Sequence, residues 1–146
     1  MKLSTRSRYG IRGMLELAIS YGKGPVQIKS IADVEGISVK YLEQLISQLK
    51  AAGLVRSVRG PKGGYILAEE PAKITLFKVF QVLEGPVIPL ECLDESGGGS
   101  CDRVAECILR PVWKDLRDAV KGVLTKVTFQ DLVDKVNSGE QLDFQI

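Results

Sequence analysis

Three thiols are the side chains in this chain best placed to do chemistry: Cys92, Cys101 and Cys107, spaced Cys-x8-Cys-x5-Cys. The first two bracket a polar, glycine-rich run, Asp94-Glu-Ser-Gly-Gly-Gly-Ser100. Soft thiolates gathered on a segment that can bend tightly suit an iron–sulfur cluster or zinc, because the backbone must wrap the site and offer N–H groups to the sulfides. The competing reading is incidental thiols. Those favour apolar burial, whereas Cys92 and Cys101 lie in polar sequence. An odd count of cysteines argues against a disulfide scaffold. Histidine is absent altogether, which removes the commonest acid/base and metal-ligating side chain and disfavours an ordinary hydrolase.

The elements that would carry such a sensor centre on Ser38–Tyr65, SVKYLEQLISQLKAAGLVRSVRGPKGGY. Ser38 suits an N-cap, Leu42, Leu45, Ile46 and Leu49 recur at helical spacing, and Gly53 falls where a left-handed C-cap residue is wanted. Lys40, Tyr41, Glu43, Gln44, Ser47 and Gln48 form the opposite, polar face. Two strand-like runs, Leu54–Val58 and Tyr65–Leu67, flank Arg59-Gly60-Pro61-Lys62-Gly63-Gly64. A helix followed by a basic glycine-rich hairpin is the layout of a recognition helix and wing.

By itself, a helix with one apolar stripe is usually a surface helix packed on a core. The preceding segment strengthens the DNA-reading alternative. Ile28–Ile37 reads as the first helix and turn of a helix-turn-helix, with Ala32 at the close approach and Gly36 supplying φ > 0. Lys40, Tyr41, Glu43 and Gln44 are expected in the major groove, where Glu43 accepts from a cytosine amine and Gln44 pairs with adenine. Ser38, Arg56, Arg59, Gly60, Lys62, Gly63, Gly64 and Tyr65 complete the expected DNA-contacting set, the glycines permitting close approach to a phosphate or groove wall.

Charge supports the same division of labour. The chain is +2 overall, yet residues 1–67 hold 11 Lys/Arg against 4 Asp/Glu, and residues 68–146 hold 9 against 14. A half at +7 joined to a half at −5 suggests nucleic acid on one side and other business on the other.

In order along the chain, Leu3–Tyr21 reads as a first helix with an apolar face of Ile11, Met14, Leu15, Ala18 and Ile19. Arg6, Arg8 and Arg12 lie on another side, where each could clamp a phosphate by a bidentate fork, the alternative being a solvated basic face. Thr75 is expected to cap a short helix carrying Phe77, Val79, Phe80 and Leu83. A helix is predicted from near Cys101 or Asp102 to about Lys126, placing Cys107 about one and a half turns inside it, with Pro111 imposing a later start or a kink. Leu109, Val112, Leu116, Ala119 and Val123 repeat at 3,4,3,4 spacing, more apolar surface than one helix beside a small domain can hide. A helix pair between two subunits is therefore expected. Thr128 with Asp131 resembles a capping box opening a last helix, Phe129–Val136. The tail from Ser138 is uninformative.

Over nearly its whole length the chain resembles the Rrf-two-type winged-helix transcription regulators, the family typified by IscR, NsrR and CymR, and is closest in pattern to the iron–sulfur cluster regulator. The resemblance rests on RYGIRGMLELA, on YLEQL followed by the RGPKGGY wing, which is highly specific, and on the cysteine-rich segment ahead of WKDL. It implies a mainly α fold with a small β-wing: a winged helix-turn-helix over 1–85, a cluster-binding loop over 86–107, and a dimerisation helix with a short C-terminal helix over 108–146. It also implies a homodimer on double-stranded, palindromic operator DNA, and a two-iron or four-iron cluster on Cys92, Cys101 and Cys107. Two positions depart from the pattern. Arg110 stands where cluster-binding members carry a histidine ligand, and Thr5–Arg12 holds no carboxylate. Glu91, Asp94, Asp102, Glu106, a small thiol or water remain as fourth ligands, and Arg110 could stabilise the anionic cluster electrostatically.

The expectation is a bacterial cytoplasmic regulator, such as a repressor, that senses iron–sulfur, redox or nitric-oxide status. No secretory signal or membrane span is read in the sequence. The alternative is a clusterless regulator of the same fold controlled by thiols, zinc or a protein partner. An electron carrier or metalloenzyme would leave the helix-turn-helix unused, so no enzyme is expected.

Overall fold

A computed structural model of the chain describes residues 2–87, 90–94 and 101–139. The glycine-rich run at 95–100 and the tail from 140 lie outside the described residues. Among the described residues there are six α-helices and one two-stranded sheet, with short 3-10 turns at Pro71–Lys73 and Glu91–Leu93. No helix among the described residues is long and apolar enough to cross a membrane.

Helix α1 (Thr5–Ile19) is capped by Ser4, whose hydroxyl accepts from the Ser7 amide at 3.1 Å. Helix α2 (Ile28–Glu35) turns into α3 (Val39–Ala51) through Gly36, held at φ 66°. That left-handed turn is cheap only for glycine, so the helix-turn-helix corner expected from sequence is present. Ser38 caps α3 by accepting from the Tyr41 amide at 3.1 Å. Helix α3 ends at Ala51, with Gly53 following at φ 78°.

Strands β1 (Val55–Val58) and β2 (Gly64–Leu67) pair antiparallel, Val55 opposite Leu67 and Val58 opposite Gly64. The hairpin is tied to the helical body by a bridge that the sequence reading lacks. Tyr65 N–H donates to the Val26 carbonyl at 2.8 Å, and Val26 N–H donates to the Tyr65 carbonyl at 2.9 Å. Helix α4 (Leu76–Glu84) starts at Thr75 as expected.

One apolar cluster joins α1, α2, α3, the sheet, α4 and α6. Met14, Leu17, Ile31, Leu42, Leu45, Ile46, Leu49, Val55, Leu67, Ile74 and Val79 are almost wholly buried in it. The stripe read on α3 is this buried face. Helix α6 (Phe129–Asn137) opens with the Thr128/Asp131 capping box and contributes Phe129 and Val133 to the same cluster. The short last helix thus packs into the reader's core.

Helix α5 spans Arg110–Lys126, with Pro111 in its first turn. The helix expected from residue 101 starts nine residues later. Proline belongs in a first turn, where its missing N–H has no helical partner to lose. Residues 102–106 form turns instead. Cys107 accordingly lies before the helix, not one and a half turns inside it. No residue of α5 is buried; Val112, Leu116 and Val123 keep about half or more of their surface exposed.

Candidate nucleic-acid interface and thiol segment

Because α3 packs through Leu42, Leu45, Ile46 and Leu49, its other face is left to solvent. Lys40, Glu43, Gln44, Ser47 and Gln48 are exposed there. Tyr41 is different. It is half-buried, with its ring edge-on to Tyr9 of α1 at 6.3 Å between centroids and 85° between planes. The Arg12 guanidinium lies 6.0 Å from the Tyr9 ring and pairs with Glu35 at 3.3 Å. This chain of contacts holds the start of α3 against α1 and the end of α2, a job that Tyr41's place on the polar face did not announce. Beneath it, burial pushes the Glu16 carboxyl above its usual range, with the Glu35 charge adding to the shift.

On the hairpin, Arg59, Gly60 and Lys62 are exposed. Gly63 and Gly64 serve the fold's own backbone. A Cβ on Gly63 would overlap the Val58 carbonyl, and one on Gly64 would lie 2.6 Å from the Val26 carbonyl carbon. Gly64 thus admits the Val26 bridge, and Tyr65, half-buried, is part of that bridge. Arg56 stands across the sheet from Ile66 and lines a groove of about 410 Å³ with Leu17, Tyr21, Pro25, Val58 and Ile66. At the opposite end of α1, Arg6 is exposed and Arg8 half-buried, its Nε enclosed with no hydrogen-bond partner among the described residues. Between them Ser7 is fully buried and hydrogen-bonded to Glu84.

The three thiols are free. Cys92 and Cys107 are half-buried and Cys101 is exposed. Cys92 sits on the 3-10 turn Glu91–Leu93, anchored by the buried side chain of Leu93. As a donor set, three free thiols outside the apolar core fit the soft-ligand chemistry of an iron–sulfur cluster or zinc. Among the described residues, however, no three His, Cys, Asp or Glu side chains are gathered as a metal site. A shared metal would need the segments bearing Cys92 and Cys101–Cys107 to close on one another. Glu91, Asp102 and Glu106 are exposed. Arg110, at the departure from the family pattern, donates from Nε to the Cys92 carbonyl at 3.0 Å. Arg117 donates to the next carbonyl, Leu93, at 3.2 Å. Neither bond carries a sequence signature, because each pairs a side chain with a backbone atom 18 or 24 residues away.

A helix-turn-helix with a bridged β-wing defines a winged-helix DNA-binding domain. Residues 3–135 match the Rrf2 family, described as iron-dependent transcriptional regulators, and the chain belongs to that family. It is 46% identical over 141 residues to the HTH-type transcriptional regulator CymR of Bacillus subtilis, covering 97% of this chain and 95% of the relative. The solved structure of that CymR, described as the global cysteine regulator, superposes with a TM-score of 0.78, covering 92% of this chain and 97% of the other. The solved IscR of T. potens gives the same TM-score at 38% identity, covering 96% and 91%. These relatives are transcription regulators, and the chain is a DNA-binding transcription regulator, not an enzyme.

Proposed function

We propose that this chain works as a homodimer on palindromic operator DNA, and that an iron–sulfur cluster held by Cys92, Cys101 and Cys107 sets its affinity for that DNA. The observation that carries the reading is the position of the three free thiols, outside the apolar core on the segment that links the reader to α5. Lys40, Glu43 and Gln44 would face base edges, while Arg59, Lys62, Arg6 and Arg8 would meet phosphates. Ser38 would add a backbone contact, and Arg56, Gly60, Gly63, Gly64 and Tyr65 would shape or hold the wing. When bound, the cluster would supply iron that reacts with oxidants or nitric oxide. The chain's own part is to deliver three thiolates and to connect them to α5. The exposed stripe of α5 supports dimerisation, since an apolar patch of that kind marks an interface. A cytoplasmic, bacterial setting follows from the same reading.

The test is iron, sulfide and zinc analysis of protein purified without oxygen, followed by operator binding before and after metal removal. Matching iron and sulfide, with a change in DNA affinity on their loss, is the expected result.

A second reading is supported by the 46% identity to CymR and by the ungathered thiols among the described residues. In it the protein carries no cluster, and thiol oxidation, zinc or a protein partner controls DNA binding, with sulfur-metabolism genes as targets. Metal-free anaerobic protein that still binds its operator, and responds to a thiol oxidant or a partner, would favour it.

A further inference from the structure

Arg110 touches the backbone at two of the three cysteines. Its backbone N–H donates to the Cys107 carbonyl at 3.3 Å, and its Nε donates to the Cys92 carbonyl at 3.0 Å. The first bond belongs to the entry of α5. The second spans 18 residues and brings the Cys92 turn to the start of α5. We infer that Arg110 is the positioning residue of the thiol segment, fixing the turns of Cys92 and Cys107 to each other at the start of α5. This deepens the reading of that segment as the regulatory input.

Arg117, a further two turns along α5, supports the same grip. Its Nη1 donates to the Leu93 carbonyl, and its guanidinium is held in place by Asp118 at 3.0 Å. Charge-assisted donors to two successive carbonyls are stronger than neutral ones, and both come from one helix. The Cys92 turn is therefore fastened to α5 by its backbone, leaving the thiol itself uncommitted. Helix α5 in turn packs on α4, where Lys121 lies 5.4 Å from the Phe77 ring. A change at Cys92 thus has a short physical route to the helix that carries the apolar stripe.

The test is amide hydrogen exchange in the full-length, chelator-treated protein, read at Leu93 and Asp94. Both amides are hydrogen-bonded within the turn, to the carbonyls of Leu90 and Glu91. Arg110→Met keeps the aliphatic stem and removes the donor. Exchange at the two amides is expected to speed up about three- to tenfold, the range for losing one ordinary, partly exposed hydrogen bond. Arg110→Gln puts an amide nitrogen at the position of the arginine Nε and is expected to restore most of the protection. Iodoacetamide labelling should follow suit, faster at Cys92 in Arg110→Met and unchanged at Cys101, which is already exposed. Wild-type exchange rates in Arg110→Met would overturn the inference. So would an equal acceleration in α3, which would mean general loosening, or a failure of Arg110→Gln to recover protection. Iron and sulfide contents of the same variants report on the cluster separately, so the two readings can fail independently.

Discussion

The Ser7 hydroxyl of α1 donates to the Glu84 carboxylate at the end of α4, and the Ser4 hydroxyl donates to the same oxygen. Two donors from one helix cap thus grip a carboxylate about 80 residues away. They hold the Glu84 carboxyl below its usual range, the Ser4 bond contributing most and the Ser7 bond next. A depressed folded-state value means that the contribution is present above the unfolded value near 4.5 and is lost as pH falls through the lower folded value. Acid denaturation should therefore show a component below about pH 4.5 that Glu84→Gln removes. At neutral pH, Ser7→Ala should cost about 1.5 kcal/mol in urea unfolding, the low end of the range for a hydrogen bond to a charged group. Unchanged acid profiles in Glu84→Gln would rule this out.

The wing's attachment gives a second test. Gly64 lies against the Val26 carbonyl group, where no Cβ fits. Gly64→Ala should break the Val26–Tyr65 bridge, costing about 1–3 kcal/mol in strain and lost hydrogen bonding. The expected signature is a lower thermal midpoint together with faster amide exchange at Val26 and Tyr65. Operator affinity should fall even though no DNA-facing side chain has changed.

These two relationships mark where the sequence was legible and where it was not. The α3 stripe, the Gly36 corner, the Ser38, Thr75 and Thr128 caps and the hairpin all follow from local rules, each acting over about four residues or fewer. The structure contains each of them. The start of α5 depended on how Pro111 would be accommodated, which local spacing leaves open between a kink and a first turn. The Val26 bridge, the Ser7–Glu84 contact, the Tyr9–Tyr41 packing and the Arg110 grip join residues 18 to 77 apart. No periodicity encodes such pairs, so they appear only once the core has brought the segments together. Tyr41 shows the consequence. Beside the groove contact expected of its place on the polar face of α3, its ring packs edge-on against Tyr9 of α1.

Oligomeric state can be tested on α5. Val112, Leu116 and Val123 share one exposed side of a helix with no buried residue. Leu116→Asp combined with Val123→Asp should convert a dimer into a monomer by light scattering, because two desolvated, like-charged pairs would have to form across a symmetric interface. The monomer should keep its helical content, since the core cluster contains no α5 residue. It should bind a two-half-site operator much more weakly while keeping most of its affinity for a single half-site. A double variant that remained dimeric would locate the interface elsewhere.

The division of labour within the reader can be measured through salt. Arg59 and Lys62 are exposed on the hairpin, and Glu43 and Gln44 are exposed on α3. A cation on a phosphate contributes to every sequence alike and releases counterions, whereas a side chain on a base edge discriminates. Arg59→Ala and Lys62→Ala should each weaken operator and random DNA to a similar degree. Each should also flatten the slope of log affinity against log salt by roughly 1. Gln44→Ala should leave that slope in place and cost about 1–3 kcal/mol on the operator only, relaxing preference at one base pair. If the pattern were reversed, with the hairpin variants changing specificity and Gln44→Ala changing the salt slope, the hairpin would be the base reader and α3 the backbone clamp. Fluorescence anisotropy with one operator and one scrambled duplex at several salt concentrations separates these arrangements.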